Sequence, residues 1–154
     1  MGVGLCLATE DPRSGDAAAL LAELTAYLEP LYPEDGDEPA APWTLDDVAC
    51  AFVVARVGGL AAGCGGLATC AEPGALEIVR MYVRSGFRGR GIADRVLIEL
   101  EGLARDEGAK QLMLRCGPRQ PGALRVYERN GYVRRAAFAH HREHATNIFY
   151  AKAL

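Results

Sequence analysis

The hydrophobic pattern of the chain alternates between short apolar runs and longer stretches with helical spacing. The apolar runs, bounded by Gly, Pro or charged positions, predict strands at residues 3–9, 51–57, 60–70, 76–83, 111–116 and 147–152. Apolar residues three and four positions apart predict helices at residues 16–28, 91–107 and 121–129, with a further short helix from Thr44. Gly58-Gly59 predicts a tight hairpin between the second and third strands. This order of elements predicts an α/β fold around a central mixed sheet.

The most informative segment is Arg88-Gly89-Arg90-Gly91-Ile92-Ala93, between a predicted strand and a predicted helix. Glycines let the backbone approach a ligand closely, and a helix N-terminus presents free N–H groups and the positive end of the helix dipole. The segment therefore predicts a site for a phosphate or pyrophosphate. The side chains of Arg88 and Arg90 either add charged contacts to that site or lie on a solvated surface. The segment is neither the three-glycine dinucleotide fingerprint nor a phosphate loop ending in Gly-Lys-Ser/Thr.

A second motif spans residues 120–132, directly after the predicted strand 111–116. Pro121 suits the first turn of a helix, and Asn130-Gly131 suits its end. Tyr127 lies within this helix, among aliphatic side chains. Taken alone, that position is explained by an aromatic residue packed in the core.

Together the two motifs resemble the core of the GNAT superfamily of acetyl-CoA-dependent N-acetyltransferases. The shared pattern is a strand, an Arg-x-x-Gly-x-Ala turn, a long helix, a strand, and a short helix ending in Tyr-x-x-x-Gly-Tyr. The resemblance is most specific over residues 76–133 and is closest to small, stand-alone bacterial members. It implies a central mixed, mostly antiparallel sheet of six to seven strands flanked by about four helices. It also implies a notch where the fourth and fifth strands splay apart.

The resemblance also implies which residues bind acetyl-CoA. The backbone of residues 81–83 would hold the pantetheine arm, and the N–H groups of residues 88–93 would hold the pyrophosphate. The full implied set is Met81, Tyr82, Val83, Arg88, Gly89, Arg90, Gly91, Ile92, Ala93, Gln120, Ala123 and Tyr127. Many relatives have Asn where this chain has Gln120. Residues 31–44 and 139–147, on the acceptor side, match no assigned pattern.

Acetyl transfer to an amine needs a base for the ammonium, donors for the oxyanion, and a proton for the departing thiolate. Tyr127 matches the family's tyrosine and is the candidate acid, because a phenol with a pKa of about 10 can protonate a thiolate. A backbone N–H near Val83 would serve the oxyanion. Glu77 interrupts an apolar strand and is the candidate base. The alternatives are that Glu77 is an exposed charge or a partner of Arg80, and that water takes the proton.

His140, His141 and His144 form the remaining cluster of titratable side chains. Their spacing differs from the His-Glu-x-x-His zinc pattern, and no matched carboxylate accompanies them, so no metal site is predicted. By resemblance, this segment lies beside the acceptor pocket, where His141 would contact the substrate or act as the base. The alternative is a solvated loop.

Length and composition favour one cytoplasmic enzyme domain over residues 1–154. The chain has 154 residues, of which 50% are hydrophobic, and this is enough for a sizeable core. Neither a signal peptide nor an apolar run long enough to span a membrane is recognised. The five cysteines are odd in number and lack a Cys-x-x-Cys pair, which favours free thiols in a reducing compartment.

Charge is divided unevenly along the chain. The first 75 residues carry a net charge of −10 and the remaining residues +7, which together give −3. The basic half contains the predicted phosphate turn, and the acidic half would attract a cationic amine. The alternative is that Glu34, Asp35, Asp37 and Glu38 form a solvated loop. The basic residues lack the aromatic pattern of a nucleic-acid surface, so no nucleic-acid partner is predicted.

Three functions stay open on this basis. The leading one is acetyl transfer from acetyl-CoA to a small-molecule amine, by direct attack in a ternary complex. The second has a protein N-terminus or lysine as the acceptor, and the third is a non-catalytic acyl-CoA sensor. A Tyr127 retained beside an intact turn argues against a sensor, which needs no acid. Many relatives form dimers, so a homodimer is a further expectation.

Overall fold

The protein is described by a computed structural model that covers residues 4–33, 50–138 and 143–154. Within these residues seven strands, numbered along the chain, form one sheet in the order β1-β2-β3-β4-β5-β7-β6. The strands are β1 Leu5–Thr9, β2 Ala51–Val57, β3 Leu60–Thr69, β4 Ala75–Val83, β5 Gln111–Cys116, β6 Val133–Arg135 and β7 Ile148–Ala153. The helices in the described residues are α1 Gly15–Leu28, α2 Ile92–Asp106 and α3 Pro121–Arg129, with a 3₁₀ turn at Ser85–Phe87.

The sequence prediction agrees closely with these elements. The predicted limits of β2, β5 and α3 are those observed, and both Gly58 and Gly59 have positive φ, which confirms the predicted hairpin. The prediction missed β6, whose three residues are too few to give a periodic signal. The described residues contain three α-helices, where about four were expected over the whole chain. The short helix predicted from Thr44 lies outside them.

The parallel pair β4–β5 separates part of the way along its length. All other neighbouring strands are antiparallel. Pairing of β4 with β5 runs from Ala75 opposite Gln111 to Ile78 opposite Leu114, whereas β4 continues to Val83 and β5 to Cys116. The ends of these two strands therefore splay apart, as the resemblance implied.

A β-bulge in β4 lies at the point of separation. Gly66 pairs with Val79 and Cys64 with Tyr82, so Arg80 and Met81 together oppose Gly65. Arg80 has a φ of 58°, which is uncommon for a residue other than glycine. A bulge bends its strand and increases the local twist. The second half of β4 is thereby turned away from the line of β5.

The sheet is covered on both faces. Alternation along β2 directs Phe52 and Val54 toward α1, while Val53 joins the core under α2. The face under α2 and α3 buries the larger core, which includes Leu97, Leu100, Leu112, Leu114, Tyr127 and Tyr150. No helix in the described part of the chain is both long and apolar enough to span a bilayer.

The glycines of β3 explain how closely α2 approaches the sheet. A Cβ atom added to Gly65 would lie 2.5 Å from Met81 Sδ and 2.8 Å from Val96 Cγ1. Real Cβ atoms essentially never come this close to other atoms, so a side chain at residue 65 would displace Met81 and Val96. The N-terminal part of α2 is therefore held directly against the bulged end of β4, and this fixes the position of the turn that precedes the helix.

Candidate active site

The turn before α2 has an open helix N-terminus. Gly89 and Gly91 have φ values of 78° and 77°, in the left-handed region that favours glycine. Gly91 is the N-cap, and no side chain caps the helix there. The first helical hydrogen bond is donated by Arg95 N–H to the Gly91 carbonyl at 3.2 Å. The N–H groups from Gly89 to Ala93 therefore have no partner within the helix and are available to an anion, whereas that of Arg88 donates to the Ser85 carbonyl at 3.4 Å.

This turn forms one wall of a cavity of about 570 Å³. The other walls are the splayed end of β4, α3 and α1. The predicted cofactor-binding residues that line it are Met81, Tyr82, Val83, Arg88, Gly89, Gly91, Ile92, Ala93, Gln120, Ala123 and Tyr127. The two sequence motifs, which are separated by α2 and β5 along the chain, thus meet at one cavity.

The two predicted arginines of the turn differ in position. Arg88 lines the cavity, where its Nε donates to the Val83 carbonyl at 2.9 Å and its guanidinium lies 5.0 Å from the centre of the Tyr27 ring. Arg90 lies outside the lining, stacked at 5.4 Å on Phe87. Arg88 therefore ties the turn to the end of β4, whereas a cofactor contact from Arg90 stays a prediction.

Tyr127 is held in the wall by other aromatic rings. It is 6% exposed, and its ring lies 6.1 Å from that of Tyr132 and 6.2 Å from that of Tyr150. Its hydroxyl forms no hydrogen bond with any residue that the structure describes, although the side chain lines the cavity. Burial, with a smaller effect from Cys116, raises the pKa of Tyr127 well above its usual value. The phenol is therefore protonated at neutral pH and can act only as a proton donor.

Glu77 lies on the opposite face of the sheet from Tyr127. It pairs with Ala68 on β3 and with Met113 on β5, and its side chain is 9% exposed. Residues 75 and 77 share a face because strand side chains alternate, and Ala75 packs with Met113 in the core away from α2 and α3. The two candidate catalytic groups are thus not neighbours in the structure. The sheet itself lies between them.

The cavity also contains residues that sequence reasoning did not select. Leu24 and Tyr27 of α1 line it, and so does Phe87 of the 3₁₀ turn. The two helices α2 and α3 add Asp94, Pro121, Gly122, Arg125, Val126 and Arg129. A weak signal existed for Tyr27, a polar-tipped aromatic side chain on the apolar face of α1. The other lining residues can be recognised only from the structure, which brings distant elements of the chain together at the cavity.

Of the histidine cluster, only His144 falls within the described residues. Its Nδ1 lies 2.8 Å from Thr146 Oγ1 and accepts the Thr146 N–H at 3.1 Å, so it closes a local turn. His140 and His141 lie outside the described residues, as do Glu34, Asp35, Asp37 and Glu38. The predicted role of His141 and that of the acidic loop therefore stay predictions.

A sheet with a splayed parallel pair, and an anion-ready turn opening into a helix at that notch, is the arrangement that the resemblance to acetyl-CoA-dependent transferases implied. Comparison with known families agrees. The model of the acetyltransferase (GNAT) family matches residues 17–132, which is most of the chain. The chain belongs to this family and is an acyltransferase.

Individual relatives extend the similarity over nearly the whole chain. The IAA acetyltransferase of Azospirillum brasilense is 32% identical over 148 residues, which cover 96% of this chain and 97% of that protein. A solved structure from Klebsiella pneumoniae, described as an acyl-CoA N-acyltransferase, has a TM-score of 0.81 at 29% identity and covers 97% of each chain. The PaiA N-acetyltransferase of Thermoplasma acidophilum, solved with coenzyme A, has a TM-score of 0.74 at 14% identity, covering 99% of this chain and 100% of that one. This last similarity supports the fold alone.

Proposed function

We propose that the protein transfers the acetyl group of acetyl-CoA to a primary amine of a small molecule, by direct attack in a ternary complex. The observation that carries this proposal is the meeting of the open turn before α2 and the Tyr127 phenol on one cavity. The turn offers donors for an anion. The phenol offers a proton at the opposite wall.

The residues of this cavity fit a polyanionic acyl donor. Gly89 and Gly91 have no side chain, so at these two positions the backbone of the turn is open to the cavity, and a helix N-terminus favours negative charge. Arg88 and Arg125 add positive charge to the lining, whereas the charge of Arg129 is matched by the Asp94 carboxylate. The polar groups lie at the turn and the apolar groups along β4, as a donor with a charged head and a long neutral arm requires.

Tyr127 has the features of an acid for the departing thiolate. In the transfer, the amine nitrogen bonds to the acetyl carbon, the carbon–sulfur bond breaks, and the sulfur takes up a proton. A buried phenol of raised pKa is a weak acid, yet burial raises the pKa of a thiol as well. The nearby thiol of Cys116 illustrates this, because burial raises its pKa to about 11. Burial therefore makes a thiolate more basic than it is in water, which favours its protonation by the Tyr127 phenol.

A second group must act as the base that removes a proton from the ammonium form of the acceptor. We assign this role to Glu77, acting through water in the gap between β4 and β5, because it is the carboxylate that β4 itself buries beside the notch. The backbone N–H groups of β4 near Val83, at the edge no longer paired with β5, would serve the oxyanion.

The small-molecule acceptor is supported by the Azospirillum relative, which is named an IAA acetyltransferase and is 32% identical over nearly the full length. The excess of acidic residues in the first half of the chain adds to this, because it favours a cationic acceptor.

The experiment is release of the CoA thiol from acetyl-CoA across a panel of acceptors, together with calorimetric titration of acetyl-CoA. The panel contains IAA, amino acids, polyamines, aminoglycosides and basic peptides. Turnover with a small amine is the expected result. Turnover with peptides alone would indicate that the acceptor is a protein. Binding of acetyl-CoA without any turnover would indicate a sensor and not an enzyme. No binding of acetyl-CoA would overturn the proposal.

A further inference from the structure

Tyr32, shortly after the end of α1, contacts the segment that leads into α3. Its hydroxyl donates to Gln120 Oε1 at 3.1 Å and accepts the backbone N–H of Arg119 at 3.0 Å. Gln120 is the N-cap of α3 and lines the cavity, whereas Tyr32 does not line it. A residue outside the cavity thus bonds directly to a side chain inside it.

The position of the Tyr32 ring is fixed by close packing. A Cβ atom on Gly117 would overlap the Tyr32 hydroxyl and would lie 2.6 Å from its Cε1 atom. The backbone of Gly117 has no positive φ, so the glycine is explained by this packing and not by its conformation. Arg119 lies over the ring at 5.5 Å and donates from Nη1 to the Leu31 carbonyl at 2.7 Å.

These contacts determine how the Gln120 amide is oriented. A phenol has one proton to donate, and the Tyr32 oxygen already accepts an N–H from Arg119. Burial, the largest influence, raises the pKa of Tyr32, so the phenol keeps its proton. The proton goes to Gln120 Oε1, which leaves the amide N–H₂ group as the donor. No acceptor in the described part of the chain bonds to that nitrogen.

We propose that Tyr32 is a positioning residue that orients the Gln120 amide, so that its N–H groups donate to an amide carbonyl of the bound acyl donor. This inference rests on the proposed function, because it takes acetyl-CoA as the occupant of the cavity. It explains how Gln120, longer by one methylene than Asn, is held in a single orientation. Removing the Tyr32 hydroxyl frees the amide to rotate and weakens donor binding.

The test is a double-mutant cycle of Tyr32→Phe and Gln120→Ala, read out as the Kd of acetyl-CoA by calorimetry. Tyr32→Phe keeps the ring over Gly117 and removes only the hydroxyl. We expect its Kd to rise about threefold to tenfold, the usual effect of one hydrogen bond. In the Gln120→Ala background, the same change should alter the Kd by less than about twofold. A purely structural Tyr32 would instead give equal losses in both backgrounds, and either this or an unchanged Kd in Tyr32→Phe would overturn the inference.

Gly117→Ala is the second variant, because its Cβ displaces the Tyr32 hydroxyl without changing Tyr32 or Gln120. We expect it to raise the Kd as Tyr32→Phe does, and to lose this effect when Gln120 is already Ala. Tyr132→Phe is the matched control, since it removes a phenol hydrogen bond to Glu101 and leaves the cavity lining intact. If wild-type protein does not bind acetyl-CoA, the proposed function and this inference both fail. If wild-type protein binds and the cycle is additive, the inference alone fails.

Discussion

Asp94 in the first turn of α2 accepts two hydrogen bonds from the Arg129 guanidinium at the end of α3. Oδ1 lies 2.8 Å from Nε, and Oδ2 lies 2.6 Å from Nη2. The Asn130 amide adds a third, donated to Oδ1 at 2.8 Å. Both Asp94 and Arg129 line the cavity. This pair therefore joins the wall that carries the open turn to the wall that carries Tyr127.

Replacing Asp94 by Asn tests the link between α2 and α3 through the free energy of unfolding. The hydrogen bonds from Arg129 lower the pKa of Asp94, and its burial opposes that change only in part. A carboxyl with a lowered folded-state pKa contributes stability above its unfolded pKa of about 4 and loses it as the pH falls. We expect Asp94→Asn to lower the free energy of unfolding by about 0.5–1 kcal/mol at pH 7, since the pair is partly exposed. The difference should shrink toward zero by pH 3.

Urea unfolding of both proteins at pH 7 and pH 3 is the measurement. Asp11→Asn is the matched control, because Asp11 pairs with Arg13 in a similar bidentate way on an exposed surface. It should change stability less than Asp94→Asn does. An Asp94→Asn variant with the same stability difference at both pH values would contradict the link.

Gly91→Val tests the anion site at the start of α2. Valine strongly disfavours the φ of 77° that Gly91 adopts, so the turn must shift or store strain of about 1–3 kcal/mol. We expect the Kd of acetyl-CoA to rise at least about tenfold in calorimetry.

Gly86→Val is the comparison variant for Gly91→Val. Gly86 has no positive φ, has open space around the position of a Cβ atom, and does not line the cavity. The Gly86→Val variant should therefore bind acetyl-CoA with the affinity of wild-type protein. Equal affinity of the two variants would remove the turn from the binding site.

The buried thiols predict how stability changes in alkali. Burial raises the pKa of Cys64 to about 12 and that of Cys116 to about 11. An unfolded thiol loses its proton near pH 8.5, whereas these folded thiols keep theirs, so stability falls as the pH rises from there toward the folded pKa values. We expect Cys64→Ala to make the loss of stability between pH 9 and 11 shallower, by up to about 1.4 kcal/mol per pH unit.

The measurement is urea unfolding of Cys64→Ala and wild-type protein at several pH values from 8 to 11. The alanine variant is less stable at pH 8 because it leaves a small cavity, but this offset does not change with pH. Cys6→Ala, at an exposed thiol, should keep the wild-type slope. Identical slopes for Cys64→Ala and wild-type protein would show that Cys64 ionises freely in the fold.

Much of the fold could be predicted because its signals are local. The limits of β5 and α3 followed from an apolar run and from Pro121 and Asn130-Gly131 at the helix ends, and Gly58-Gly59 marked the hairpin. The turn of residues 88–93 was found in the same way, since a glycine-bearing turn next to a helix is visible in sequence alone.

What could not be predicted depends on contacts between distant segments. The bond from Tyr32 to Gln120 spans 88 residues, and that from Arg129 to Asp94 spans 35. In both pairs, the sequence around each residue contains no pattern from which its distant partner could be predicted. The bulge at Arg80 was equally hidden, because it arises where β3, β4 and α2 pack together around Gly65. The placement of Glu77 and Tyr127 on opposite faces needed the register of β4 against β5.

The central claim is that Tyr127 protonates the departing thiolate in transfer from acetyl-CoA to an amine. The most direct measurement is the kcat for CoA thiol release by Tyr127→Phe, with the amine that wild-type protein accepts and with the Kd of acetyl-CoA measured in parallel. We predict that kcat falls about 10²-fold or more while the Kd stays within about twofold, because the ring remains and only the acid is lost. Tyr132→Phe, which lacks a buried hydroxyl outside the cavity lining, should keep its kcat. An unchanged kcat in Tyr127→Phe would contradict the claim.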